Sequence, residues 1–211
     1  MQPWTVEHGT FWAVETHEGL PPICPARVEV KFKELELADI DELALVMNLP
    51  TTEPIQQRLQ SNRRCFTLRV SDQIVTYGWV TQGVEYVGEL ERQFHLHHNE
   101  AYIWDCGTTP AWRGQRCYSA LLSHIIYRLH DGGVFRIWIG ASQHNDPSVR
   151  GFANAGFQPV VDLTYRRFYK LTILRFQEAP TAAPPFVSAA YRILVNNREH
   201  RFGRLAIGYK R

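Results

Sequence analysis

The chain has few cysteines, and their spacing carries no metal or disulfide signature. Only four cysteines occur among 211 residues, and none forms a C-x-x-C pair. Zinc ribbons and disulfide-stapled scaffolds need such pairs or a higher cysteine density, so neither class is indicated and a reducing compartment is favoured. The four cysteines are Cys24, Cys65, Cys106 and Cys117.

The chain also lacks a charge imbalance, a long apolar run and an apolar leader. Its formal net charge is +2, whereas nucleic-acid-binding proteins usually carry a marked basic excess, so no nucleic-acid partner is expected. No apolar run approaches the roughly 20 residues that span a bilayer, so no membrane partner is expected. Residues 1–8 contain an acid and no apolar region typical of a signal peptide. Together these features predict a cytoplasmic protein.

What the chain does contain is the composition of a folded α/β domain. Its 45% apolar and 21% charged residues are typical of globular proteins, and its length allows one domain with a full core. Alternating residues at 28–32, a hairpin over 65–80 and an aromatic, β-branched run at 134–139 predict strands of a sheet. Asp146 as the cap and Pro147 at the first helical position predict a short helix.

Composition divides the chain into four parts. Residues 1–26 end in a proline-rich segment and are interpreted as an N-terminal arm that packs on the main domain. Residues 27–176 hold the predicted strands and helices. Residues 177–187 are rich in proline and alanine, as linkers are. Residues 188–211 carry six Lys or Arg residues against one acid, which predicts a basic tail that is solvated or docks on a partner.

The most informative segment is the basic turn within residues 110–122. It follows a strand predicted at 101–106 and leads into an amphipathic helix predicted over 113–129. Free backbone N–H groups at the start of a helix form a positive site that suits a pyrophosphate. Arg113 and Arg116 add charge at this end, where basic residues oppose the helix dipole unless an anion is bound. The segment therefore predicts an anion site.

The order of the predicted elements and the residue pattern of this loop resemble those of the GNAT superfamily of N-acetyltransferases over residues 28–176. The resemblance implies an α/β fold with a mixed central sheet and flanking helices, and acetyl-CoA as co-substrate. It also implies that the pantetheine arm lies in a splay between the strands at 102–106 and 134–139, using backbone groups as an added strand does. The residues implied in cofactor binding are Cys106, Thr108, Arg113, Gly114, Gln115, Arg116, Cys117, Tyr118, Asn145 and Ser148.

Two departures from the family pattern concern this loop and residues 145–157. The pattern is Arg/Gln-x-x-Gly-x-Gly/Ala; Arg113 matches its first position, but Arg116 and Tyr118 replace its small residues. Glycine allows close approach and positive φ, so direct contact of Arg116 with phosphate is expected to compensate. Residues 145–157 match the family's Asn-x-x-Ser/Ala…Gly-Phe segment, but Phe152 stands where many members have a tyrosine that protonates the departing thiolate. A water or another residue must then supply that proton.

The chemistry that the resemblance implies needs a base, because only a free amine attacks a thioester. Asp105 lies on the strand beside the expected thioester, and Glu89 lies on the extension that leads to it. One of these carboxylates, or a water that it holds, is the expected proton acceptor. Cys106 and Cys117 lie near the expected site without an evident activating neighbour, so direct attack without an acyl-enzyme is expected.

The amine acceptor is expected to bind at residues 83–100, interpreted as a strand extension plus loop. This aromatic, histidine-bearing section departs most from a minimal family core, and it fits a small-molecule or peptide amine. The histidines within 95–98 lack an accompanying carboxylate, so no metal is expected. The N-terminal arm and the basic tail could reach a neighbouring subunit, which leaves a homodimer open.

Two alternatives to an acyl-CoA N-acyltransferase stay open. The replaced glycines and Phe152 also fit a catalytically inactive GNAT-like module that binds CoA or acts as a sensor. The altered loop fits a transferase that uses a different donor, such as an aminoacyl or long-chain acyl group. Fold alone does not separate these functions.

Overall fold

The structure, a computed structural model, describes residues 4–195 and 199–209. The strands in these ranges are β1 (Trp4–Glu15), β2 (Lys31–Glu34), β3 (Arg64–Val70), β4 (Gln73–Thr81), β5 (Val84–Val87), β6 (Arg92–His95), β7 (Glu100–Thr108), β8 (Arg136–Ser142), β9 (Gln158–Phe168), β10 (Leu171–Glu178), β11 (Glu199–Phe202) and β12 (Leu205–Tyr209). The helices are α1 (Ile40–Val46), α2 (Glu53–Gln60), α3 (Cys117–Asp131), α4 (Asp146–Asn154) and α5 (Pro184–Leu194).

Ten of the described strands form one mixed sheet. Their order is β11-β12-β10-β9-β1-β8-β7-β4-β3-β2, and β5 pairs with β6 in a separate hairpin. Neighbours in the large sheet are antiparallel apart from β7 and β8, which are parallel and joined through α3. The expected α/β fold with a mixed sheet and flanking helices is confirmed, as is the parallel crossover predicted from the strand–helix–strand order.

The N-terminal residues form a central strand of the sheet, so the expectation of an arm packed on the main domain is wrong over residues 4–15. β1 pairs with β8 along residues 9–15 and with β9 along residues 4–13. Four consecutive residues of this strand are buried: Phe11, Trp12, Ala13 and Val14. A strand that is covered on both faces shows no polar–apolar alternation, and this is why periodicity did not reveal it. Residues 1–3 of the expected arm lie outside the described residues.

The C-terminal segment is also folded onto the sheet, in contrast to the expected linker and tail. α5 begins at Pro184, inside the expected linker, and buries an apolar face formed by Val187, Ala190, Tyr191 and Leu194. β12 pairs with β10 and extends the sheet. Arg192 donates to the carboxylate of Glu100 at 2.5 Å, and the Arg201 guanidinium lies 3.7 Å from the Tyr191 ring centroid. Arg204 lies 4.0 Å from the Glu178 carboxylate, so these three arginines contact groups of the folded domain. The other three basic residues of the tail, Arg198, Lys210 and Arg211, lie outside the described residues.

Several element boundaries differ from the sequence prediction for local reasons. The 65–80 hairpin is confirmed as β3 and β4, and the first strand after the N-terminal segment covers residues 31–34 instead of 28–32. α3 starts at Cys117, four residues after the predicted start, because a 3-10 turn precedes it. Asn145 caps α4 in place of Asp146, since its side-chain oxygen accepts the Ser148 backbone N–H at 3.3 Å. Residues 84–95 form the β5–β6 hairpin, in place of the strand extension expected within residues 82–100.

The core lies on both faces of the large sheet. α3 buries Leu121, Leu122, Ile125 and Ile126 against one face, together with residues of α4. α5 and the β5–β6 hairpin contribute to a second apolar cluster, and α1 and α2 to a third. These layers hold the β7–β8 pair at the centre of the molecule. No helix within the described ranges has both the length and the apolar content needed to cross a membrane.

Candidate active site

The two parallel strands at the centre of the sheet separate along their length. The β7–β8 ladder runs from Glu100 and Arg136 to Ile103 and Ile139 and ends there. β7 continues to Thr108 against β4, and β8 continues against β1, so each strand keeps its outer partner while the inner edges diverge. Among the described strands, none pairs with the inner edge of β7 beyond this point. The result is an open fork, lined by backbone groups, where the sequence resemblance had placed the splay.

A β-bulge bends β7 at the mouth of this fork. Two residues, Asp105 and Cys106, stand opposite the single residue Gly78 of β4, and Asp105 has φ of +41°. A bulge turns a side chain away from its regular direction. The carboxylate of Asp105 is held by Arg58 of α2 at 2.5 Å, and the Arg58 guanidinium also lies 4.7 Å from the Trp104 ring. Sequence reasoning missed Arg58, because nothing local to α2 marks a partner 47 residues away.

The loop before α3 presents uncapped backbone N–H groups. Gly114 and Arg116 both have positive φ, +77° and +58°, and this conformation turns the chain sharply into the helix. Arg116 occupies the N-cap position, and its own side chain makes no capping hydrogen bond. Cys117, expected to bind the cofactor, is only 1% exposed and packs in the apolar core. A 15-residue helix with a free first turn attracts anions.

A third arginine joins the two that were expected at this loop. The backbone N–H of Arg27 donates to the carbonyl of Gln115 at 2.9 Å, and its guanidinium donates to the carbonyl of Gly114 at 3.3 Å. Arg113 donates to the carbonyl of Thr108 at 3.4 Å, which links the loop to the end of β7. Three exposed guanidinium groups thus surround the helix start. No sequence signal identified Arg27, since it is 87 residues before Gly114.

The Tyr118 side chain extends from α3 towards β7 and α4. Its hydroxyl faces the Cys106 thiol and the Ser148 hydroxyl, and both interact with it. Its ring lies against α4, where a Cβ on Gly151 would come within 2.5 Å of it. Burial raises the pKa of Tyr118 well above its ordinary value. Burial also raises the pKa of the Cys106 thiol to about 12, so this thiol is not an activated nucleophile.

A cleft of about 780 Å³ opens beside the fork. The ends of β7 and β8, the β5–β6 hairpin and the start of β1 form its walls. Its aromatic lining consists of Phe11, Tyr86, Phe94, Tyr102 and Trp104. Its acidic lining consists of Glu7, Glu85, Glu89 and Asp105. Aromatic walls with a few polar groups are typical of small-molecule sites, and both residues expected to act as a base, Asp105 and Glu89, lie in this cleft.

The four carboxylates of the cleft differ in their partners. Asp105 and the buried Glu85 each bind an arginine from α2 or the turn after it, at 2.5 and 2.7 Å. Glu7 and Glu89 are exposed and have no ion-pair partner within the parts of the chain that the structure covers. Burial raises the pKa of Tyr102, and the nearby Glu89 carboxylate adds to this shift. The cleft therefore offers two unneutralised carboxylates to a ligand.

The remaining residues expected at the site surround the fork. Asn145 lines the cleft and caps α4 at the same time. The Thr108 hydroxyl hydrogen-bonds with that of Thr76 at 3.2 Å, at the end of β7. Gln115 contributes a carbonyl that fixes Arg27. In the described ranges, no three His, Cys, Asp or Glu side chains converge as they would around a metal ion.

Known proteins with similar sequences and folds are acetyltransferases. A curated relative, an uncharacterised N-acetyltransferase of Mycobacterium bovis, is 24% identical over 119 residues, covering 56% of this chain and 68% of the relative. A GNAT-family acetyltransferase structure from Colwellia psychrerythraea superposes with a TM-score of 0.54 at 12% identity, covering 83% of this chain. A GCN5-related N-acetyltransferase from Sphaerobacter thermophilus gives a TM-score of 0.55 at 15% identity, covering 77% of this chain.

This chain spans 57% and 51% of the length of these two structural relatives, so their likeness concerns the fold. The family assignment comes from the sequence. Residues 35–157 match the acetyltransferase (GNAT) family, and this range contains α3, the fork between β7 and β8, and α4. The chain belongs to the GNAT family of acetyltransferases.

Proposed function

We propose that the protein is a cytoplasmic N-acyltransferase that moves an acetyl group from acetyl-CoA to an amine. The observation that carries the proposal is the fork, which has a positively charged helix start at one end and an acidic, aromatic cleft beside it. The diphosphate of the donor would bind the free N–H groups of α3 and the arginines around them. Its extended arm would follow the open edge of β7 and bring the thioester to the bulge at Asp105.

The acceptor would approach through the cleft and attack the thioester carbonyl directly. An amine carries positive charge until it loses its proton, and the exposed carboxylates of Glu7 and Glu89 favour such a cation in the cleft. Glu89, or a water that it holds, would accept the proton of the attacking amine. Asp105, which Arg58 engages, would maintain the shape of the bulge. The preferred acceptor is therefore an amine with a second positive charge and an apolar face.

The donor site is tested by calorimetric titration with acetyl-CoA, CoA and a long-chain acyl-CoA. The informative variant combines Arg113→Ala with Arg116→Gly, which removes both charges and keeps the positive φ at residue 116 accessible. Loss of two charge-assisted contacts is expected to weaken acetyl-CoA binding by at least about tenfold. The matched control is Arg128→Ala, which removes an exposed arginine from the other end of α3 and should leave binding unchanged.

A second candidate function is a GNAT-like module that binds CoA without catalysis. It is favoured by the size of Tyr118, which stands where the family pattern has a small residue. Its ring packs against Gly151 and occupies space between α3 and α4. The two functions differ in one measurement. Release of free CoA from acetyl-CoA in the presence of diamines or short peptides supports the transferase, whereas tight CoA binding with no release for any amine supports the binding module.

A further inference from the structure

The turn that carries Glu89 is held in place by residues that lie beyond the matched family range. Glu89 belongs to a short 3-10 turn (Gly88–Leu90) between β5 and β6, and it lines the acidic cleft. The family match ends at residue 157. The structure nevertheless attaches this turn to β9, α5 and β11, all of which follow that residue.

The first attachment is at Glu91, directly after the turn. Its φ of +51° lies in the left-handed region, and a glutamate in this region persists only where its surroundings hold it. The Tyr165 hydroxyl donates to the Glu91 carboxylate at 3.1 Å, and the Arg167 guanidinium donates to the same carboxylate. Both donors belong to β9, so they fix the end of the turn relative to the large sheet.

The second attachment is at Arg92, which is only 2% exposed. Its guanidinium forms a bidentate ion pair with Glu199 of β11, at 3.0 and 3.1 Å. It also donates to the Leu90 carbonyl of the turn at 3.2 Å and to the Leu194 carbonyl at the end of α5. One guanidinium therefore joins the turn to both of these C-terminal elements.

This ion pair determines geometry more than it adds stability. The cost of taking both charges out of water offsets much of the attraction between them. A bidentate pair does supply orientation, because two parallel hydrogen bonds align both groups. Since Leu90 is next to Glu89 in the chain, the contact of Arg92 with the Leu90 carbonyl sets the path of the backbone that carries the Glu89 carboxylate.

We propose that Arg92, with Glu199 as its partner, is a positioning residue that holds Glu89 at the acceptor amine. The inference rests on the proposed N-acyltransferase function with Glu89 as the base. A base acts only within hydrogen-bond reach of the proton that it accepts, and a displacement of about 1 Å can lower a rate by about 100-fold. α5 and β11 are then part of the catalytic unit, although they lie outside the family match.

The first test removes the ion pair without leaving a buried charge. Arg92→Gln/Glu199→Gln replaces both charged groups with amides, so neither partner is left as an isolated ion. With acetyl-CoA and a diamine, kcat is expected to fall about tenfold near neutral pH, and this loss should shrink at alkaline pH, where the amine needs no base. The Kd for acetyl-CoA should stay unchanged, because the proposed donor site is built from α3 and the end of β7.

The matched control removes another ion pair of a largely buried arginine. Arg69→Gln/Glu42→Gln breaks the pair between β3 and α1, in which Arg69 is 7% exposed. The described lining of the cleft includes neither residue. This variant is expected to lower Tm and to keep the wild-type kcat at temperatures where it is folded. Arg92→Lys gives a further comparison, since it keeps the buried cation and loses the bidentate contact.

The second test is a double-mutant cycle on kcat with Glu89→Gln. If Arg92 acts through Glu89, adding Arg92→Gln/Glu199→Gln or Arg92→Lys to Glu89→Gln causes no further loss of kcat. Losses that multiply would overturn the proposal, because they would show that the pair supports the fold or another group.

Two other results would overturn the proposal while leaving the proposed acyl transfer in place. One is an unchanged kcat in both Arg92→Lys and Arg92→Gln/Glu199→Gln. The other is full activity of Glu89→Gln, which would remove the base on which the proposal depends. Failure of the wild type to bind CoA, or to release it with any amine, would instead reject the proposed function, and it is seen before any variant is made.

Discussion

The two carboxylates expected to act as a base have different surroundings, and this separates their roles. Glu89 is exposed in the cleft, whereas Asp105 combines a positive φ with an ion pair to Arg58. Asparagine and aspartate tolerate positive φ better than other side chains, which explains an aspartate at the bulge. The positive φ and the ion pair therefore give Asp105 a structural role, which the sequence did not reveal.

The corresponding prediction compares Glu89→Gln with Asp105→Asn. Glu89→Gln should lower kcat/KM by about 100-fold near neutral pH, and the loss should shrink at alkaline pH, where the amine is already deprotonated. Asp105→Asn should lower activity without changing the shape of the pH profile. It weakens the ion pair that holds Arg58 against Trp104 but removes no base. A pH-dependent defect in Asp105→Asn with a normal profile in Glu89→Gln would reverse the assignment.

Arg116 holds a backbone conformation that glycine adopts more easily. Its φ of +58° lies in the left-handed region, as does the φ of +77° at Gly114. Arg116→Gly should therefore raise the free energy of unfolding by about 0.5–1 kcal/mol, and Gly114→Ala should lower it by a similar amount. Urea unfolding measures both changes. Destabilisation by Arg116→Gly would mean that the arginine side chain makes a stabilising contact in the absence of donor.

At the scale of elements, the edge strand β2 contacts α3 through an aromatic pair. The His124 ring of α3 stacks on Phe32 at 5.1 Å, with 20° between the ring planes. Burial lowers the pKa of His124 below its ordinary value of 6.5. The folded state therefore binds this proton less readily than the unfolded state does, and the contribution of His124 to stability is lost as the pH falls below about 6.5.

We expect His124→Phe to reduce the pH dependence of thermal stability on the acid side of neutrality. The phenylalanine keeps a ring against Phe32 but cannot take up a proton. Melting temperatures measured at about pH 7.5 and about pH 5.5 should therefore differ less in this variant than in the wild type. The control is His98→Phe, since His98 is exposed in the loop before β7. Equal pH dependence in the wild type and His124→Phe would show that other groups cause the acid destabilisation.

Elements with a clear local pattern were predictable, and those defined by distant partners were not. Turn residues or hydrophobic periodicity mark the strand at 101–106, the basic turn and the helix that Gly132 caps, and all three occur in the structure. The four consecutive buried residues from Phe11 to Val14 show no alternation of polar and apolar side chains, because both faces of that strand are covered. The site shows the same division. Asp105 and Glu89 could be named from the sequence, whereas Arg27 and Arg58 reach the site only through tertiary folding.

At the scale of the whole molecule, β1 joins two halves of the sheet. It lies between β8, which carries the fork, and β9, which leads to the C-terminal strands. Without β1, both neighbours would lose a row of backbone hydrogen bonds, and the apolar residues that pack around Phe11 and Trp12 would be exposed. Full burial of each large side chain contributes about 1.5–3 kcal/mol, and a typical domain has a net stability of only about 5–15 kcal/mol.

The sequence division into an arm and a separate domain over residues 27–176 can therefore be tested directly. A chain of residues 27–176 should fail to unfold cooperatively and should not bind acetyl-CoA, because its sheet is interrupted between β8 and β9. Adding residues 1–26 back to that chain should restore part of the cooperativity, and adding residues 177–211 alone should not, since α5 and β12 cannot fill the gap. Thermal unfolding followed by circular dichroism distinguishes these cases. A cooperative, CoA-binding 27–176 chain would mean that β1 is an accessory strand and that the fork is stable without it.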